Sequence, residues 1–197
     1  MRFLSGFLAA IALLIALGLA LLWTGAYNVA ASAGHSDIGR SIFETMMVQS
    51  VKARAENPDL SAKIRRTADL QAGFREFQEY CIHCHGAPGA EPHEWTRGMV
   101  PQPPELSEAA AQWTPAQTFW IAKHGIKMTG MPAFGGRKSD QTLVNIAGFL
   151  DRMEGMTPEQ YQALQQRWGS AGGQGGDGES GAGRDGHGHS HDPGAGH

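Results

Sequence analysis

Hydrophobic positions run almost without a break from Phe3 to Trp23. About twenty helical residues, rising about 1.5 Å each, cover a hydrocarbon layer of about 30 Å, so this stretch is expected to be a transmembrane helix. Beyond it the pattern changes. Ile38, Ile42, Phe43, Met46, Met47 and Val51 recur at three- and four-residue spacing, with Arg40, Glu44 and Lys52 off that stripe. The spacing predicts an amphipathic helix over 36–55, ended by Asn57-Pro58, which serves as a stalk packed on the following domain. A membrane-lying or partner-binding helix is the alternative reading of that stripe. A further helix is expected from about Asp69 to Tyr80, with Leu70, Phe74 and Phe77 on one face, and it delivers the chain into Cys81. Pro88, Pro92, Pro101, Pro103 and Pro104 then interrupt a stretch without periodicity, which reads as extended loop.

Helix starts are legible further on. Thr114-Pro115-Ala116-Gln117 offers a hydroxyl cap, a proline in the first turn and a glutamine three residues after the cap. The helix it opens carries Phe119, Trp120 and Ile121 and is expected to stop near Gly125. Ser139-Asp140 opens another, where Leu143, Ile146, Ala147 and Leu150 share a face, and Thr157-Pro158-Glu159-Gln160 repeats the capping pattern before Tyr161, Leu164 and Trp168. No stretch alternates as a strand would, and no internal repeat is visible. The fold class is all-α. From Gly169 to His197 glycine dominates and no large apolar residue occurs, so that tail is expected to be disordered. The expected division is an anchor at 1–26, a helical stalk at 27–68, a folded domain at 69–168 and the tail at 169–197.

A secretory signal would also begin with a basic residue and an apolar run. Here the run is longer than about 15 residues, and the small-residue site Ala31-Ser32-Ala33 lies well past its end, which favours an uncleaved anchor. Arg2 precedes the span and the next basic residue is Arg40, so the N-terminus is expected inside and the rest exported. The formal charge is only −3, without a basic run, which argues against nucleic acid as a partner.

The chain has two cysteines, and both lie in Cys81-Ile82-His83-Cys84-His85. Such spacing is the signature of covalent haem c attachment. It places two thiols against one porphyrin edge, while the next side chain turns under the iron. A zinc site would want a second ligand pair, and a redox dithiol would follow a strand; neither context is present. His83 is expected to be a loop residue, and His35, His93 and His124 to be exposed or locally bonded.

Gly73, Phe77, Cys81, Cys84, His85 and Gly86 resemble the first helix and haem motif of class I cytochromes c. The stretches Gly98 to Ser107 and Phe119 to Phe134 resemble a bacterial membrane-anchored, single-haem subset of that class. The resemblance implies three main helices around one covalent haem and electron transfer as the activity. It also implies that Gly73 lets its helix approach the one carrying Phe149, and that the sixth iron ligand, a methionine before proline, is Met131. A soft thioether suits iron, and Pro132 stiffens the loop, in agreement with that assignment. Met128 is the nearest competitor and Met99 a weaker one. Tyr80, Trp95, Pro101, Pro103, Trp120, Ile126 and Phe134 are candidates for the haem-pocket wall or for ordinary core. In the tail, His187, His189 and His191 alternate with small residues, and a modest-affinity site for copper, nickel or zinc is the alternative to a merely solvated segment.

With both axial positions filled, substrate cannot reach the iron, so the expected function is electron transfer and not catalysis. Membrane redox proteins are the expected donor and acceptor, reached from a single-pass anchor in a bacterial cytoplasmic membrane with the haem on the periplasmic side. The alternatives are a haem subunit of a larger membrane oxidoreductase, and a sensor or peroxidase-like protein in which the methionine leaves the iron.

Overall fold

In a computed structural model the described residues are 2–169. The tail expectations, including His187, His189 and His191, lie outside them. Helix α1, Arg2–Thr24, is long and apolar enough to cross a bilayer, as its composition dictates. Residues 25–36 follow with one 3₁₀ turn at Ala31–Ala33, and then α2 spans Asp37–Ala55, capped by Ser36 Oγ accepting from the Gly39 amide.

The chain then forms a helix that the sequence reading missed. Asn57-Pro58 ends α2, as expected, but it also starts α3, Pro58–Thr67: Asn57 Oδ1 accepts from the Leu60 amide and Pro58 occupies the first turn, where its missing N–H is not needed. Helix α3 is integral to the packing. Ile64 is fully buried, the Ser61 hydroxyl accepts from the Ala116 amide, and Arg65 grips both carboxylate oxygens of Asp151 at 2.9 and 3.0 Å. The second half of the expected stalk thus packs on the domain that follows.

Helix α4, Leu70–Glu76, is capped by Asp69 and passes into a π-helical turn, Phe77–Cys81, then into α5, Ile82–His85. The helix expected to end near Tyr80 therefore continues through the cysteine motif. The proline-rich stretch holds a 3₁₀ turn at Glu94–Gly98 and the short α6, Leu106–Ala109, neither of which periodicity announced. Helices α7, Pro115–His124, and α9, Pro158–Leu164, both begin with complete capping boxes, and α8, Asp140–Met153, begins at the Ser139 cap. Among the described residues no strand forms, and Ala87 and Ala90 make an isolated bridge.

The core lies where α4 crosses α8, closed by α7 and α9. Phe74 and Phe77 each stand 5.5 Å from the Phe149 ring, and Tyr161 joins both at 5.9 and 6.3 Å. Buried Tyr161 keeps a polar partner, its hydroxyl accepting from Gln78 Nε2 at 2.8 Å. The crossing is close because Gly73 has no side chain: a Cβ there would collide with the Asn145 carbonyl oxygen and come within 2.9 Å of Phe149 Cβ.

Gly73→Ala sets two effects against each other. Alanine gains about 1 kcal/mol of helix propensity over glycine, whereas forcing a methyl into a closed contact costs typically about 1–3 kcal/mol. The obstacle is backbone, so the second effect wins, and thermal or denaturant unfolding should record a net loss of stability.

Candidate functional site

Helix register brings the cysteine motif to the core. Cys81 closes the π turn and is buried, whereas Cys84, one turn on, is half-buried, and both are free thiols. Burial pushes the Cys81 thiol up to about 12 and raises Cys84 as well. These are neutral thiols, the opposite of the activated thiolate that a redox dithiol requires. Helix α5 stops at Gly86, whose φ of +64° suits glycine and whose missing Cβ admits the Ala90 carbonyl.

His85 is oriented from the far side of the loop. Its Nδ1 lies 2.8 Å from the carbonyl oxygen of Pro104. A carbonyl only accepts, so Nδ1 carries the proton and Nε2 keeps a free lone pair, the arrangement that prepares an imidazole to bind a metal. Burial lowers the pKa of His85, against the smaller opposing effect of the Pro104 bond, and so favours the neutral ring. In the sequence Pro104 is only one proline of an extended loop; its carbonyl role leaves no mark in the residue pattern.

Met131 sits on a loop that hangs from the end of α7. The amides of Phe134 and Gly135 donate to the carbonyls of Ala122 and Lys123, satisfying groups that a helix C-terminus leaves open. Within the loop, Thr129 Oγ1 donates to the Ile126 carbonyl and accepts from the Met131 amide, and the Met131 carbonyl accepts from Ile126. Gly125, at φ +65°, lets this loop fold back: a Cβ would lie 2.7 Å from the Met131 carbonyl oxygen. Met131 is half-buried. Met128 stands at the tip of the turn with φ +61° and 74 % exposure, and the Met99 methyl packs where a side chain of Gly130 would be.

A cluster that sequence reading did not find ties this loop to α4. Lys138 Nζ lies 2.8 Å from Glu76 Oε2, a buried oxygen that this ammonium compensates, and 3.8 Å above the Tyr80 ring. Tyr80 in turn meets Phe134 edge-on at 6.2 Å. Neither residue pattern nor spacing links Glu76 to Lys138, because the pair is made by the tertiary fold. Of the expected wall residues, Trp95 and Pro101 are exposed, Tyr80 barely so, and Pro103, Trp120, Ile126 and Phe134 are half-buried. His83 and His93 are hydrogen-bonded to one another at 3.0 Å, and His93 stacks on Trp95. His124 lies against Trp120 and His35 against Phe43.

Residues 68–150 match the family described as cytochrome c oxidase, cbb3-type, subunit III. These residues form a class I cytochrome c domain. Cys81, Cys84, His85 and Met131 all fall inside the matched stretch, as does the Gly73 crossing, while α1, α2 and α3 precede it. No curated protein and no solved structure matches the chain. The cytochrome domain takes haem c as its cofactor and has an electron-transfer role. The donor set fits that group: two neutral thiols one turn apart, then an imidazole with its second nitrogen free. It does not fit zinc, since among the described residues no three His, Cys, Asp or Glu side chains converge as a metal site.

The Glu76–Lys138 pair generates a prediction. Glu76→Gln leaves the ammonium without its charged partner and should lower stability by about 1.5–3 kcal/mol, the range for hydrogen bonds to charged groups. The hydrogen bond to Glu76 is the first cause of the raised Lys138 pKa. The folded value exceeds the unfolded 10.5, so this stabilisation is present at neutral pH and is lost as pH rises through the raised value. Denaturant unfolding against pH should show a smaller loss above pH 10.5 in Lys138→Met than in the parent.

Proposed function

We propose that the chain is a membrane-anchored, single-haem cytochrome c that passes single electrons between membrane redox partners on the exported face of a bacterial cytoplasmic membrane. In this reading Cys81 and Cys84 would bind the haem through thioethers, and His85 and Met131 would supply the two protein ligands of its iron. The parts are an anchor at 1–26, a stalk at 27–68 whose end packs on the haem domain, the haem domain at 69–168 and the tail. A haem held between two protein ligands supplies a one-electron couple whose potential a methionine raises.

The protein residues have separate tasks. The Pro104 carbonyl orients His85, and the backbone bonds from Phe134 and Gly135 to α7 fix the base of the methionine loop. The observation that supports the reading most is His85 Nδ1 on Pro104, since a ring held by one nitrogen on a backbone carbonyl keeps the lone pair of its other nitrogen free for a metal. Met131 is favoured over Met128 by its half-buried position and its bonded backbone. The exported orientation follows from Arg2 before the span and no basic residue after it until Arg40.

Met131→Ala should lower the reduction potential by more than about 59 mV, a tenfold change for a one-electron couple, and open the iron to carbon monoxide. Redox titration and the reduced spectrum under carbon monoxide measure this. An unchanged spectrum in Met131→Ala with a changed one in Met128→Ala would move the assignment to Met128. Carbon monoxide binding by the unaltered protein at neutral pH would favour the sensor or peroxidase-like reading.

A second reading has a specific observation behind it. The matched family is described as an oxidase subunit, so the chain is alternatively a haem subunit of a larger membrane oxidoreductase. Mild solubilisation of native membranes followed by size separation should yield the protein alone if it shuttles. Co-migration with other redox subunits at fixed stoichiometry would establish the complex.

A further inference from the structure

The apolar stripe of α2 is covered at one end and bare at the other. Toward its C-terminus Val51 and Ala55 are buried as the helix packs on α7, and Met47 and Val48 are half-buried. In its first half Ile38 is 75 % exposed, Ile42 52 %, Phe43 45 % and Met46 60 %. These four follow one another at helical spacing, so they form one continuous apolar strip. Bare apolar surface also continues backward through Val29 and Tyr27 to Trp23 at the end of α1. Elsewhere on the folded part the exposed large apolar side chains, Tyr80, Trp95, Val100 and Met128, do not recur along one helix face, whereas the α2 strip is continuous and lies next in the chain to the spanning helix.

We propose that the first half of α2 lies in the headgroup boundary of the bilayer that α1 spans, with Ile38, Ile42, Phe43 and Met46 facing the acyl chains. The proposal rests on the reading of α1 as a membrane span. Residues 25–36 separate the two helices, a reach of about 40 Å at full extension, so the covalent linkage keeps the bilayer surface available to α2 at all times. Any other occupant would have to be recruited. Charge agrees with a neutral lipid surface: between residues 25 and 47 the only Asp, Glu, Lys or Arg are Asp37, Arg40 and Glu44, and the first two form an ion pair. Glu44, two residues from Ile42, points about 200° away round the helix and is left to water.

The consequence is mechanical. The buried end of α2 packs on α7 of the haem domain, so laying its other end on the membrane fixes the domain's orientation. Donor and acceptor would then meet the same face of the domain, and the linker would not act as a swinging tether.

Site-directed spin labelling of the full-length, haem-loaded protein in phosphatidylcholine vesicles tests this. Thioether-bound Cys81 and Cys84 leave one added thiol as the labelling site. Nitroxides at Leu13→Cys, Ile42→Cys, Glu44→Cys and Met46→Cys are compared for collision with oxygen, which concentrates in lipid, and with a water-soluble nickel chelate. An unchanged haem spectrum is required of each variant. The oxygen-to-nickel ratio should be several-fold higher at Ile42 and Met46 than at Glu44, and should approach that at Leu13. A water-like ratio at Ile42 beside a lipid-like one at Leu13 would overturn the proposal and leave the anchor standing. Shielding of Ile42 from both reagents would replace the lipid with protein, a second copy if dilution in lipid relieves it. A water-like ratio at Leu13 would overturn the anchor and the proposal together.

Discussion

Where α4 crosses α8, the Gly73 backbone lies against the Asn145 carbonyl and Phe149 Cβ, a contact that any side chain at residue 73 would hold apart. That closeness sets the height of Phe74 and Phe77 over Phe149 and lets Tyr161 reach both rings from α9. It also determines where the π turn, and with it Cys81, meets the core. Asn145 contributes a second link at the same crossing, its Oδ1 accepting from the Asp69 amide, so the start of α4 is fixed by the helix it crosses. A small domain gains more from one close crossing than from several loose ones, because dispersion falls off steeply with separation.

From that crossing the site is assembled by backbone groups more than by side chains. His85 is held by a proline carbonyl, and the Met131 loop by α7 carbonyls. Backbone acceptors do not titrate and change little with rotamer, so the His85 ring and the Met131 loop are held by contacts that neither pH nor a change of nearby charge removes. The charged contacts, Lys138 with Glu76 and Arg65 with Asp151, stand around this assembly and brace elements distant in sequence.

The sequence was most informative where chemistry or local geometry limits the residue types. The Cys81–His85 motif reads directly because thioether formation needs cysteines at that interval, and the all-α class follows from helical spacing without strand alternation. The Thr114 and Thr157 boxes read directly because a cap is satisfied within four residues. What escaped was set by tertiary packing or by an ambiguous sign. Asn57-Pro58 stops one helix and starts the next with the same two residues, and only its termination was read. The π turn at Phe77–Cys81 inserts a register shift that no residue type announces. Pro104 acts through a carbonyl that every residue possesses, so its part in the site was invisible.

The attachment of the methionine loop to α7 gives the loop a small opening unit of its own. Two amides, Phe134 and Gly135, join its base to carbonyls of the last turn of α7, and the Phe134 ring rests on the edge of the core that holds Phe74 and Phe149. Lifting the loop breaks those bonds and withdraws the Phe134 ring, yet leaves Phe74, Phe77, Phe149 and Tyr161 packed on one another, which is local unfolding with a free energy below that of the whole domain. Hydrogen exchange at these two amides is then a clock for departure of the loop, running separately from global unfolding and from any change at the cysteine motif.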